Sequence, residues 1–188
     1  MLGQEFPGVF AAARGGDEVA FARLWRDAHP ALLRYLRVMG VASPEDVGSE
    51  VWLEVVRRLG SFGGDEARFR GWLFTIARRR VIDSRRRVAR AAMQPVPEPQ
   101  VYERAGRDFT AEWALDRLAT ERALALIASL PPDQAEVIVL RVVAGLGAKE
   151  VAEILGKSPG AVRIAAHRGL RRLAALLVDQ GVAGGVTR

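Results

Sequence analysis

Seven arginines stand between Ile76 and Arg90 (Arg78, Arg79, Arg80, Arg85, Arg86, Arg87 and Arg90) against one acid, Asp83. That local excess equals the formal net charge of the whole chain, +6 over 188 residues, so the remainder averages to neutral. Concentrated guanidinium charge suits a polyanion, because each phosphate neutralised releases condensed counterions. A solvated helix face is the plainer alternative for a charge run taken alone. A second basic set lies in Arg163, His167, Arg168, Arg171 and Arg172, with no acid between Ser158 and Val178.

Catalytic chemistry finds little support. The chain has no cysteine, which removes disulfides, thiolate metal sites and thiol nucleophiles. The adjacent acids Glu45-Asp46 and Asp65-Glu66 point about 100° apart on a helix, so neither is a poised acid/base couple. His29 and His167 are far apart in sequence and have no evident partners, which makes a shared metal site improbable. Gly60–Gly64 lacks the Gly-Lys-Ser/Thr ending of a phosphate loop. No enzyme, metal or cofactor is expected.

The elements that must position the basic sets are helical throughout. A first helix is expected over Asp17–Ala28, with Phe21, Leu24 and Trp25 on one face. A second is expected from Pro30, carrying Leu33, Leu36 and Met39, with Gly40 as its stop. Ser43-Pro44-Glu45-Asp46 reads as a cap, a proline at the first helical position and acids in the first turn, opening a helix to about Leu59. Val47, Val51, Val55 and Leu59 are its core face, and Asp46, Glu50 and Glu54 form an acidic ridge. Asp65 caps the next helix, whose apolar stripe Phe69, Trp72, Leu73 and Ile76 runs into the arginines. Three prolines at 95, 97 and 99 preclude regular helix, so 91–111 reads as a flexible linker of order 65 Å when stretched.

Near the C-terminus the spacing is that of a helix-turn-helix. Leu146–Leu155 is a short helix, Gly156 the turn, and Ser158-Pro159 the start of the next helix. Ala152 is small enough for a close crossing, Gly156 permits a left-handed turn, and Val162 buries between the helices. Val151, Ile154, Leu155 and Leu170 are expected to complete the core. The second helix then offers its basic face to a major groove. No apolar run approaches the roughly 18 residues that span a bilayer. The expected class is all-α, with 1–15 an N-terminal extension, domains at 16–90 and 112–178, and a tail at 179–188.

Taken together these residues resemble the extracytoplasmic-function sigma factors of bacterial RNA polymerase, of the sigma-70 family. The resemblance rests on Ser43-Pro44-Glu45-Asp46-Val47, Ser49-Glu50-Val51-Trp52, Trp72-Leu73, Ile76-Ala77-Arg78, Asp83, Arg86-Arg87, Leu130-Pro131-Pro132 and Leu140–Leu146. Ser49 stands where the family carries glutamine, Arg79 where it carries asparagine, and Ile164-Ala165 where it carries serine-arginine. The resemblance implies a region 2 domain that binds core polymerase and melts the −10 element, and a region 4 domain that reads the −35 element.

It assigns core binding, to the β′ clamp and β subunits, to Asp46, Val47, Glu50, Trp52 and Glu54. It assigns −10 DNA to Phe62, Phe69, Arg70, Thr75, Arg78, Arg79, Arg80 and Arg86, since strand capture needs aromatic surfaces and guanidinium planes. Trp72 and Phe69 have a rival reading as core residues. The −35 DNA falls to Lys157, Ser158, Gly160, Ala161, Arg163, Ile164, His167, Arg168 and Arg171. Promoter DNA, core polymerase, an anti-sigma factor and a cytoplasmic location follow as expectations. The competing reading is a helix-turn-helix regulator that binds DNA without polymerase.

Overall fold

The structure, a computed structural model, describes residues 1–91 and 111–179; side chains are described for 1–90 and 118–178. Most of the expected linker and the tail after Asp179 lie outside the described residues. Eight α-helices carry the described fold, and no strand occurs among these residues: α1 (Phe6–Arg14), α2 (Glu18–Val38), α3 (Pro44–Arg58), α4 (Glu66–Ala91), α5 (Ala111–Ala128), α6 (Pro132–Ile138), α7 (Ala148–Leu155) and α8 (Pro159–Asp179). Helices α1–α4 form the first domain and α5–α8 the second.

The segment expected to be an extension is helix α1. Phe6, Val9, Phe10 and Ala13 are buried at i, i+3, i+4 and i+7, a stripe that seats it on α2. That periodicity is readable in the sequence once residues 6–13 are taken as a window.

Helix α2 corrects the expected break at Pro30. Asp17 caps it, its Oδ1 accepting from the Ala20 N–H at 2.9 Å, and the helix then runs through Pro30 to Val38. An internal proline costs about 3 kcal/mol. Leu24, Ala28, Ala31, Leu32, Tyr35 and Leu36 are all buried along one stripe that spans the proline. At about 1.5–3 kcal/mol for each large side chain, keeping that stripe continuous outweighs the cost. Gly40, at φ +72°, ends the turn as expected.

Helix α3 starts at Pro44 and buries Val47, Val51 and Val55, with Leu59 just beyond its end. Gly48 also faces inward, because a Cβ there would lie 3.3 Å from Leu33 Cδ2. Trp52 is buried and its indole Nε1–H donates to His29 Nδ1 at 3.2 Å. Accepting at Nδ1 requires the neutral imidazole. Burial pushes the His29 pKa below its ordinary 6.5; the Glu45 carboxylate opposes this and the Arg37 guanidinium adds to it.

In the second domain a π-helical turn, Val139–Val143, links α6 to the helix-turn-helix. Val139 and Leu140 are fully buried, and Arg141 braces the turn by donating to the Leu146 carbonyl at 3.0 Å. Gly156 takes the left-handed conformation (φ 64°, ψ 36°), and the Lys157 N–H closes back on the Ala152 carbonyl at 2.9 Å. Val151, Ala152, Ile154 and Val162 are buried as expected. Leu170 is not: it is 52% exposed. The inward stripe of α8 is Val162, Ala165, Ala166, Gly169 and Leu173, and position 170 sits about 100° off it. Gly169 lets α8 close on α6, because a Cβ there would stand 2.9 Å from Ile138 Cγ1.

Two outcomes test this packing. Gly169→Ala gains up to about 1 kcal/mol of helix propensity, but overpacking against a buried isoleucine costs about 1–3 kcal/mol. Denaturant titration should therefore show net destabilisation. For His29, the unfolded chain takes up a proton more readily than the folded one. The stability owed to neutral His29 is thus full above about pH 6.5 and lost as pH falls through the lowered folded value. Thermal melts should fall more steeply on acidification in the wild type than in His29→Gln.

Candidate nucleic-acid interface

Helix α8 presents its basic face to solvent. Arg163, Ile164, His167, Arg168 and Arg171 are exposed, with Arg172 beside them. Gly160 and Ala161 sit at the exposed first turn, where the Ser158 hydroxyl accepts from the Ala161 N–H at 3.2 Å. Their small side chains let a phosphate approach the backbone N–H groups of a helix N-terminus. Lys157 leans on Asp133 at 2.6 Å, an ion pair at the edge of the same turn. All nine residues assigned to the −35 element thus fall on the α8 face or its opening turn.

The arginine-rich helix α4 divides its side chains among three tasks. Arg79 and Arg86 are exposed and face solvent. Arg80 turns toward α3, where it lies 2.9 Å from Glu54 and 3.6 Å from Glu50. Arg78 Nε donates to Glu136 of α6 at 3.0 Å. Arg70 is 5% exposed and binds Asp27 of α2 at 2.5 Å, with Glu66 at 3.5 Å and the Ala144 carbonyl at 3.2 Å. Thr75 spends its hydroxyl on the Gly71 carbonyl of its own helix.

The aromatic residues form a graded cluster. Phe69 is buried at 2% exposure, packed against Phe6, Phe10, Phe62 and Trp72. Phe62 stacks on Trp72 with centroids 4.9 Å apart and planes at 24°, and both are partly open. Phe69 and Arg70 thus lie behind the surface, and Phe62 and Trp72 form its step.

The acidic ridge of α3 is less open than its spacing implies. Asp46 is exposed. Glu50 and Glu54 share Arg80, and Glu54 also takes Arg58 at 3.1 Å. Val47 and Trp52 are buried and fix how α3 lies. Leu53 and Val56, exposed at 56% and 53%, went unnoticed in the sequence. They are apolar residues off the Val47/Val51/Val55 stripe, which is the signal that finds them. Also unnoticed were Glu136, Glu150 and Glu153, which the second domain brings against α4.

A basic helix-turn-helix joined to a helical domain with an arginine-rich helix and an aromatic step defines a DNA-binding protein of transcription. Residues 24–91 match the family model "Sigma-70 region 2" and residues 120–173 match "Sigma-70, region 4". The chain is 33% identical to the ECF RNA polymerase sigma factor SigD of Mycobacterium tuberculosis, over 96% of this chain and 88% of that one. It is 35% identical to the ECF RNA polymerase sigma factor BldN of Streptomyces coelicolor, over 89% of this chain but 64% of the relative's length. The solved structure of CnrH in complex with the cytosolic domain of CnrY superposes with a TM-score of 0.62 at 26% identity, covering 91% of this chain and 96% of that one. The chain belongs to the ECF sigma factors of the sigma-70 family. Its function is that of an alternative sigma factor, a specificity factor of transcription initiation and not a catalyst. No helix among the described residues is long and apolar enough to cross a membrane.

Exposed guanidinium groups on α8 should contribute counterion release. Replacing Arg163 and Arg168 by Ala should weaken binding to duplex DNA and lower the slope of log K against log salt by about one for each phosphate no longer neutralised. Fluorescence anisotropy across a salt series reads both. A slope equal to wild type would place these side chains away from phosphate.

Proposed function

We propose that the two domains divide promoter recognition as follows. Helix α3 meets the β′ clamp of core polymerase through Asp46, Glu50 and Glu54, with Leu53 and Val56 adding apolar contact beside them. Val47 and Trp52 act from beneath by holding the helix in place. The Phe62–Trp72 step, Thr75 and the guanidinium groups of Arg78, Arg79 and Arg86 receive the −10 strand. Phe69 and Arg70 support that surface from behind, and Arg80 orients the α3 carboxylates. The α8 face, from Lys157 to Arg171, reads the −35 element, with the polymerase β subunit as a further neighbour of the second domain.

The observation that carries this reading is the presence, in one chain, of an exposed basic recognition helix and a separate aromatic step flanked by arginines. Duplex reading needs the first; holding unstacked bases needs the second. The likeness to CnrH, solved with the cytosolic domain of CnrY, supports an anti-sigma partner for this chain. A cytoplasmic location accords with work on chromosomal promoters.

The test is a pull-down of bacterial core RNA polymerase with the purified chain, followed by run-off transcription on genomic fragments. Initiation at discrete sites that requires both components is expected; site-specific DNA binding without any polymerase binding would overturn the reading. Replacing Asp46 and Glu50 together by Ala should reduce polymerase capture severalfold, in keeping with loss of rim charges, while circular dichroism stays that of the wild type.

A further inference from the structure

Ile164 stands where a solvated helix face would carry a polar side chain. It is 56% exposed and lies about 160° round α8 from the buried Val162. A single exposed aliphatic residue is ordinary, and Leu170 is nearly as open. Position sets Ile164 apart. Gly160, Ile164, His167 and Arg171 recur at i, i+4, i+7 and i+11, one stripe along the outward side of α8. Leu170 falls about 90° off the centre of that stripe. Arg163 lies about 100° to one side of Ile164 and Arg172 about 80° to the other. Both guanidinium groups are exposed, and no acid occurs between Ser158 and Val178.

The packing of the fold does not ask for these residue types. Isoleucine is a poorer helix former than alanine, leucine or arginine, because its branched Cβ loses freedom against the preceding turn. Gly160 does not use the left-handed backbone. A Cβ there would meet nothing closer than Ser158 Oγ at 3.9 Å, so no neighbour requires its absence. Glycine within a helix is destabilising relative to alanine. The bare opening turn and the aliphatic residue that follows it therefore serve something outside the protein core.

We propose that Ile164 reads the C5-methyl group of a thymine in the −35 element, with Gly160 and Ala161 letting α8 come close enough to reach it. This rests on the proposed placement of α8 on that element. In the major groove the base edges present donors and acceptors, and the thymine methyl is the apolar group among them. The groove, about 12 Å wide, admits a helix whose N-terminal residues meet the base edges. With Ile164 toward the floor, Arg163 and Arg172 stand over opposite rims, where the phosphates run. An apolar centre between two cationic shoulders thus complements a methyl-bearing floor between two rows of phosphates. Isoleucine offers no donor or acceptor. Cytosine in place of thymine would lack the methyl and turn its N4 donor toward Ile164 unpaired, which is costly once water is excluded.

The test uses core polymerase reconstituted with the full chain, and the promoter found by run-off transcription with its −35 element randomised. Retained duplexes should share at least one T·A pair. Uracil differs from thymine only by the missing methyl. Uracil at that position should weaken binding by the wild-type holoenzyme about fourfold, the worth of one buried methyl group. Ile164→Ala should bind the thymine and uracil duplexes equally, and Ile164→Leu should restore most of the difference. Leu170→Ala, the same kind of loss off the stripe, should keep the full difference. Both residues are exposed, so circular dichroism should stay that of the wild type in all three variants.

A preferred −35 sequence without thymine, or one whose thymines all tolerate uracil, overturns the methyl contact and leaves the −35 reading by α8 standing. An equal uracil penalty in Ile164→Ala does the same. A pool that returns no preferred −35 sequence, with initiation still dependent on the −10 element, strikes the α8 reading and the methyl contact with it.

Discussion

A guanidinium buried where three elements meet constrains the rest of the molecule. Arg70 binds the Asp27 carboxylate on α2, lies near Glu66 one turn back on α4, and donates to the Ala144 carbonyl of the second domain. A cation at 5% exposure is tolerated only with opposite charge and hydrogen bonds around it. Asp27 and Glu66 supply the charge, and both also hold the first three residues of the chain. Asp27 takes the Met1 amino group at 2.6 Å, and Glu66 accepts from the Leu2 and Gly3 N–H groups at 3.0 and 2.8 Å. The start of the chain, the α2–α4 crossing and the docking of the π-helical turn therefore share one electrostatic centre.

Around that centre α2 acts as the spine. Its continuity through Pro30 gives it length enough to touch α1, α3 and α4 on one hand, and α5, α6 and the π-helical turn on the other. The buried Tyr35 lies where these two sets of neighbours meet. Its hydroxyl is held by Glu136, and burial, followed by the nearby Glu136 carboxylate, raises its pKa well above 10, so it stays a donor. A helix broken at Pro30 would leave the second domain without its seat.

Positioning of the groups proposed to meet DNA follows from the same packing. Helix α1 brings Phe6 and Phe10 under the loop after α3, and Phe10 meets Phe62 edge-on at 5.4 Å. Phe62 is thereby fixed against Trp72 on a loop that glycines would otherwise leave free to move. On α3, sharing Arg80 between Glu50 and Glu54 lowers the mutual repulsion of the acidic ridge and sets its direction. The arginine run is thus partly a scaffold and partly a surface, a division that charge density alone does not express.

Local chemistry in the sequence was enough for the helical class, the helix-turn-helix and the exposed basic face of α8. Gly156, Ala152 and Val162 are demanded by the turn itself, and caps such as Asp17, Asp65 and Ser158 act within three residues. The resemblance of its motifs to the sigma factors likewise lay in short, ordered segments. What the sequence did not decide depends on partners distant along the chain. Pro30 reads as a helix start until the burial on both sides of it is known, and Leu170 reads as core until Gly169 is seen against Ile138. The similar arginines of α4 became buried, paired or exposed according to which carboxylates the tertiary fold brought near them. Glu136 lies 101 residues from Tyr35 and 58 from Arg78, and only the packing of one domain on the other makes them a single site. Such choices rest on burial and long-range electrostatics, which local sequence pattern does not encode.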